Sequence, residues 1–90
     1  MDIQSRFEKY HTDNPIVFDL FEKYARTVMK LGYEKYSAKA ICERIRWHMH
    51  FDVKDTNFKL NNNYTSRYAR LLASTNPVFA DFFRNRNLRA

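Results

Sequence analysis

The residues best suited to chemistry lie in one run, Phe58 to Leu72, which reads FKLNNNYTSRYARLL. Asparagine can pair with adenine, arginine can read guanine or clamp a phosphate, and serine, threonine and tyrosine hydroxyls reach phosphate oxygens. Lys59, Asn62, Asn63, Thr65, Ser66, Arg67 and Arg70 therefore form a candidate nucleic-acid-binding set. That chemistry is recognition, with no bond made or broken. The same run also has a plainer reading. Asparagine side chains accept from the free N–H groups at a helix start, and Tyr64, Tyr68 and Leu71/Leu72 recur at helical spacing. A capped structural helix with an aromatic inner face and a solvated arginine face accounts for the pattern equally well.

Other chemistries have thinner support. His48, His50 and Asp52, with Cys42 six residues before His48, carry metal-ligating atoms, but the alternate residues converge only in an extended segment, and lone His11 supplies no second pair. No metal site and no cofactor is expected. Catalysis would need an activated nucleophile or an acid/base pair; no Ser-His-Asp set or glycine-rich phosphate loop can be picked out, and Gly32 is the only glycine. The reading is a non-enzymatic protein.

Charge points the same way as the motif. The formal net charge is +6, and it is unevenly spread. Residues 1–30 balance five Lys/Arg against five Asp/Glu, residues 31–60 carry six against four, and residues 61–90 carry Arg67, Arg70, Arg84, Arg86 and Arg89 against Asp81 alone. All five cations of the last third are arginine, the side chain suited to bidentate contact with phosphate or carboxylate. Arg84 and Arg86 join the candidate set as a basic tail that could clamp a phosphate backbone or an acidic protein surface, although a solvated, frayed end is the plainer reading.

Which elements would position these groups? With 44% hydrophobic and 17% aromatic residues in 90, the chain should fold as one domain. Residues 1–12 read as a partly ordered arm, or a short helical turn docking Phe7. Residues 13–84 read as a single helical domain, and residues 85–90 as the basic tail. Asn14-Pro15 opens a first helix to about Leu31, with Asp13 or Asn14 as cap, an apolar stripe of Val17, Leu20, Phe21, Tyr24, Val28 and Leu31, and Gly32 closing it. Ser37 caps a second helix to about Met49, with Ala38, Ile41, Cys42, Ile45 and Met49 inward and Lys39, Glu43, Arg44 and Arg46 outward. Trp47 falls off that stripe and is expected to cover an edge of the core.

His50 to Asn61 allows either an irregular loop or a small β-hairpin, because HFDV alternates weakly and DTN is a turn signal. A third helix follows from Asn62 or Asn63 to Ser74. Asn76-Pro77 then repeats the Asn-Pro opening, NPVFADFF beside NPIVFDLF, and should start a short fourth helix that docks Val78, Phe79, Phe82 and Phe83. The fold class is mainly α, a compact bundle of about four helices. The dozen residues between the second and third helices exceed the tight turn of a helix-turn-helix, though a winged-helix-like variant tolerates them.

At YSAKAICERIRW, FKLNNNYTSRYARLL and NPVFADFFRNR the chain resembles a group of small phage and bacterial proteins sharing a KLNNNYTxRYARL-type motif and having no assigned activity. The resemblance runs from about Asn14 to Arg86. It implies a setting, a phage or mobile element and the cytoplasm of its bacterial host, and no catalytic or binding residue. The single cysteine fits a reducing compartment, and neither a membrane span nor the apolar core of a signal peptide is found. In that setting the leading expectation is binding of nucleic acid, DNA first, through the third helix. The alternative is a phage-encoded inhibitor or assembly factor that engages an acidic surface of a host protein through an aromatic patch around Trp47, Phe51, Phe58 and Tyr64. A homodimer through exposed aromatics is allowed, but no spacing marks a self-complementary seam.

Overall fold

A computed structural model describes residues 2–83. Its elements are α1 (Ile3–Asp13), α2 (Pro15–Lys30), α3 (Ala38–Trp47), a five-residue π-turn (His48–Asp52), a 3₁₀ turn (Asn62–Tyr64), α4 (Thr65–Thr75) and a closing 3₁₀ turn (Pro77–Phe79). The architecture is a small, mainly helical bundle.

Residues 3–13 form a full helix of 11 residues, more than the arm or single turn expected. Asp2 makes it, by accepting from the Ser5 backbone N–H at 2.8 Å, and Phe7 docks as expected, buried against Tyr68 and Tyr64. The Asn-Pro junctions explain why this helix stops where it does. At both Asn14 and Asn76 the side chain makes no cap bond to the following helix. Instead each asparagine closes the helix before it, Asn14 N–H donating to the Tyr10 carbonyl and Asn76 N–H to the Leu72 carbonyl, both at 2.8 Å. The residue before proline is pushed out of the helical region, so Asn-Pro turns the corner between helices, and Pro starts the next one.

α2 and α3 follow their apolar stripes. Val17, Leu20, Phe21 and Ala25 of α2 are buried, as are all five residues expected on the inner face of the α3 segment. Leu31, expected to end the α2 stripe, is instead exposed beside Gly32, whose φ of +103° is the left-handed turn that glycine permits at a helix end. Ser37 caps α3, accepting from Ala40 N–H at 3.1 Å. Ser37→Ala removes that acceptor, and we expect a loss of about 1 kcal/mol, read as a fall of several degrees in a thermal melt. An unchanged melt would mean that water serves this helix end as well as the hydroxyl does.

No strand forms among the described residues, so the hairpin and the winged-helix variant are not adopted there. The coil of α3 runs on through the π-turn instead, anchored by buried Met49, whereas a hairpin of two short strands alone is marginal in water. Lys54, at φ 65°, breaks it. The DTN turn signal is realised: Asp55 accepts from Asn57 N–H at 3.0 Å through its side chain and from Phe58 N–H at 3.2 Å through its carbonyl.

The expected fourth helix is only the closing turn. It nevertheless docks Phe79 and Phe82 fully and Phe83 partly, while Val78 points away, 61% exposed. Tyr36 N–H donates to the Phe82 carbonyl at 2.9 Å, and Arg26 lies over the Phe79 ring while donating to Asn76 Oδ1 at 2.9 Å. The core beneath is aromatic. Tyr68, wholly buried, sits among Phe7, Phe18 and Phe21 at centroid distances of 4.8, 6.5 and 5.8 Å.

Candidate nucleic-acid interface

Asn61 begins the helical run as the sequence suggests, its side chain accepting from Asn63 N–H at 2.8 Å. Tyr64, Tyr68 and Leu72 then repeat every four residues and are buried, which fixes the rotation of α4. With about 100° per residue, Ser66 and Arg70 fall within about 20° of the side opposite Tyr68. Ser66, Arg70, Asn63 and, before the helix, Lys59 are all exposed.

The other predicted residues are spoken for. Thr65 turns inward and its hydroxyl donates to Cys42 Sγ at 3.6 Å, joining α4 to α3. Asn62 Oδ1 accepts from Arg46 at 2.6 Å. Arg67 is half-buried on the flank, its Nε donating to Gln4 Oε1 of α1 at 3.0 Å, with the Asp2 carboxylate near enough to feel its charge. That carboxyl is held below its usual value, chiefly by the Ser5 N–H and less by Arg67 and Arg6. Arg84 and Arg86 lie outside the described residues. The expected set thus divides: Lys59, Asn63, Ser66 and Arg70 remain free for a ligand, while Asn62, Thr65 and Arg67 hold the fold.

Arg46 is the residue the sequence reading missed. Expected to face solvent, it is 18% exposed in its side chain, and it donates to the Leu60 carbonyl at 2.7 Å and to Asn62 while pairing with Glu43 at 3.1 Å. Its position four residues after buried Cys42, about 40° round α3, was the available signal. Tyr10 also pins this corner, its hydroxyl donating to the Lys59 carbonyl, and burial pushes that phenol up to about 12.

The aromatic patch of the alternative reading is only half present. Trp47 and Phe51 are each 59% exposed, with centroids 4.4 Å apart and planes tilted by 39°, whereas Phe58 is half-buried and Tyr64 is core. Trp47 therefore does not cover a core edge. The metal-capable side chains are dispersed: His48 Nδ1 meets Asp52 Oδ2 at 3.1 Å, His50 Nε2 meets the Phe58 carbonyl at 3.2 Å, and Cys42 is buried, its thiol pushed up by desolvation. An open groove lined in part by Met29, Tyr33, Lys35 and Val78 lies at the closing turn, away from these groups.

No protein-family model, curated protein or solved structure matches the chain. No helix among the described residues is long and apolar enough to cross a membrane.

Proposed function

We propose that this chain is a small nucleic-acid-binding protein without catalytic activity, working in the cytoplasm of a bacterial host and encoded by a phage or mobile element. The phage setting rests on the motif resemblance alone. The binding reading rests on one observation: the outward face of α4 carries Ser66 and Arg70, with exposed Asn63 in the 3₁₀ turn just before it, none of the three paired with a carboxylate, inside a stretch from Thr56 to Ala80 that contains no Asp or Glu. A phosphate backbone approaching that face meets cations and hydrogen-bond donors, and the segment itself brings no repelling carboxylate, Asp2, which caps α1, lying on the Arg67 flank. Lys59 and Arg70 supply charge, while Asn63 and Ser66 supply donors that reach phosphate oxygens or base edges.

The test is fluorescence anisotropy of a labelled DNA duplex and a labelled single strand at several salt concentrations. Binding should weaken steeply with added salt. Lys59→Ala combined with Arg70→Ala should weaken it roughly tenfold and reduce the salt slope by about one to two, with the thermal melt unchanged because both side chains are exposed. Absence of binding even at low salt would sink the proposal. Arg67→Ala is the internal control for a structural role: it should also loosen α1.

A further inference from the structure

The nucleic-acid reading leaves Trp47 and Phe51 without a task. A tryptophan more than half exposed beside an equally exposed phenylalanine is costly in water, since it leaves apolar ring area that folding could have covered. The backbone here is also unusual. The α3 coil widens into the π-turn His48–Asp52, a device frequent at functional sites, and there Phe51 lies against Trp47. Lys54 then adopts φ 65°, a region that L side chains rarely occupy and that costs backbone strain. Cations bracket the rings along the chain: Arg44 comes one turn before Trp47, and Lys54 comes three residues after Phe51.

We propose that Trp47 and Phe51 form a stacking platform for unpaired bases, so that the nucleic acid this protein takes is single-stranded, or has a single-stranded segment, with Arg44 and Lys54 beside its phosphates. This rests on the nucleic-acid reading above. Two arguments favour a base over a protein partner. The first is size: the exposed apolar surface is one tryptophan, one phenylalanine and neighbouring Val53, amid charged residues, which matches the faces of one or two bases and falls far short of the 20–30 residues a stable protein interface uses. The second is charge. Of the nearby carboxylates Glu43 is paired with Arg46, while Asp52 and Asp55 keep their charge but are held by hydrogen bonds to His48 Nδ1 and to Asn57 N–H; Lys54 has no ion-pair partner among the described residues, and Arg44 rests on the Tyr24 ring at 5.2 Å.

Trp47 is the only tryptophan, so its emission reports on the platform directly. The full chain would be titrated with a short oligothymidylate and with a duplex, following both tryptophan emission and the anisotropy of a labelled strand. The expected result is quenching that saturates together with the anisotropy for the single strand. Phe51→Ala and Trp47→Ala should each weaken single-strand affinity roughly tenfold while leaving duplex affinity within about twofold, their melts matching the parent's. Single-strand binding with unchanged Trp47 emission, or with parental affinity in both variants, would overturn the platform and leave the α4 reading standing. Absence of any anisotropy change with either nucleic acid at low salt would remove both, and would leave the rings to a protein partner.

Discussion

Tyr68→Ala is expected to lower the melting temperature by roughly 15–30 °C. The side chain is wholly buried at the point where α1, α2 and α4 meet, its ring against Phe7 and Phe21 and near Phe18. Emptying such a site costs about 3–5 kcal/mol, and a domain of this size has a total stability of only about 5–15 kcal/mol. The conversion uses about 4–8 °C for each kcal/mol in small domains. Tyr68→Phe separates the ring from its hydroxyl. That hydroxyl is buried with no protein partner, so removing it removes a desolvation penalty, and the phenylalanine variant should melt at or above the parent. A phenylalanine variant clearly less stable than the parent would show that the hydroxyl has a bonding partner in solution.

The same burial sets the alkaline limit. Desolvation raises the phenols of both Tyr68 and Tyr10 above their ordinary value of 10, to about 12 for Tyr10, because the charged phenolate is disfavoured inside the fold. The unfolded chain therefore releases these protons first. Their contribution is fully present below pH 10 and is lost as pH rises from there through the folded values, so Tyr68→Phe should also soften unfolding in that window.

Arg46→Ala should cost about 2–3 kcal/mol, a fall of roughly 10–20 °C, although in the sequence it looks like one more solvent-facing cation. Its guanidinium ties α3 to the Leu60 carbonyl and to Asn62, which fixes the irregular segment and the start of α4. Removing it leaves those acceptors to water, and amides of the 3₁₀ turn at Asn62–Tyr64 should exchange faster with solvent. Arg46→Lys should recover little, because one ammonium cannot fork to two acceptors and a carboxylate in the guanidinium's geometry. A melt within a degree or two of the parent would mean that α4 is held by its aromatic face alone. If the nucleic-acid reading holds, Arg46→Ala should weaken binding too, by loosening the face that presents Asn63 and Arg70.

Local signals carried much of this fold. The spacing of Val17, Leu20 and Phe21, and of Ala38, Ile41, Cys42, Ile45 and Met49, determined α2 and α3, because a helix must bury one stripe and these are the stripes available. Caps at Ser37 and Asn61 were legible for the same reason: the bond runs between residues two or three apart. The candidate run at Phe58 to Leu72 was also legible as residue types. What a residue does with its side chain was not, wherever the partner lies far along the chain. Arg46 reaches 14 and 16 residues on, Arg67 reaches back 63, and Tyr10 spans 49. Only the tertiary arrangement decided that Asn62, Thr65 and Arg67 serve the fold while Lys59, Asn63, Ser66 and Arg70 stay open, and that Trp47 leans at a tilt against Phe51 in solvent instead of closing a core edge. Periodicity fixes which face of a helix is inward; which outward groups are then taken by neighbours depends on where other helices lie, and no local pattern encodes that.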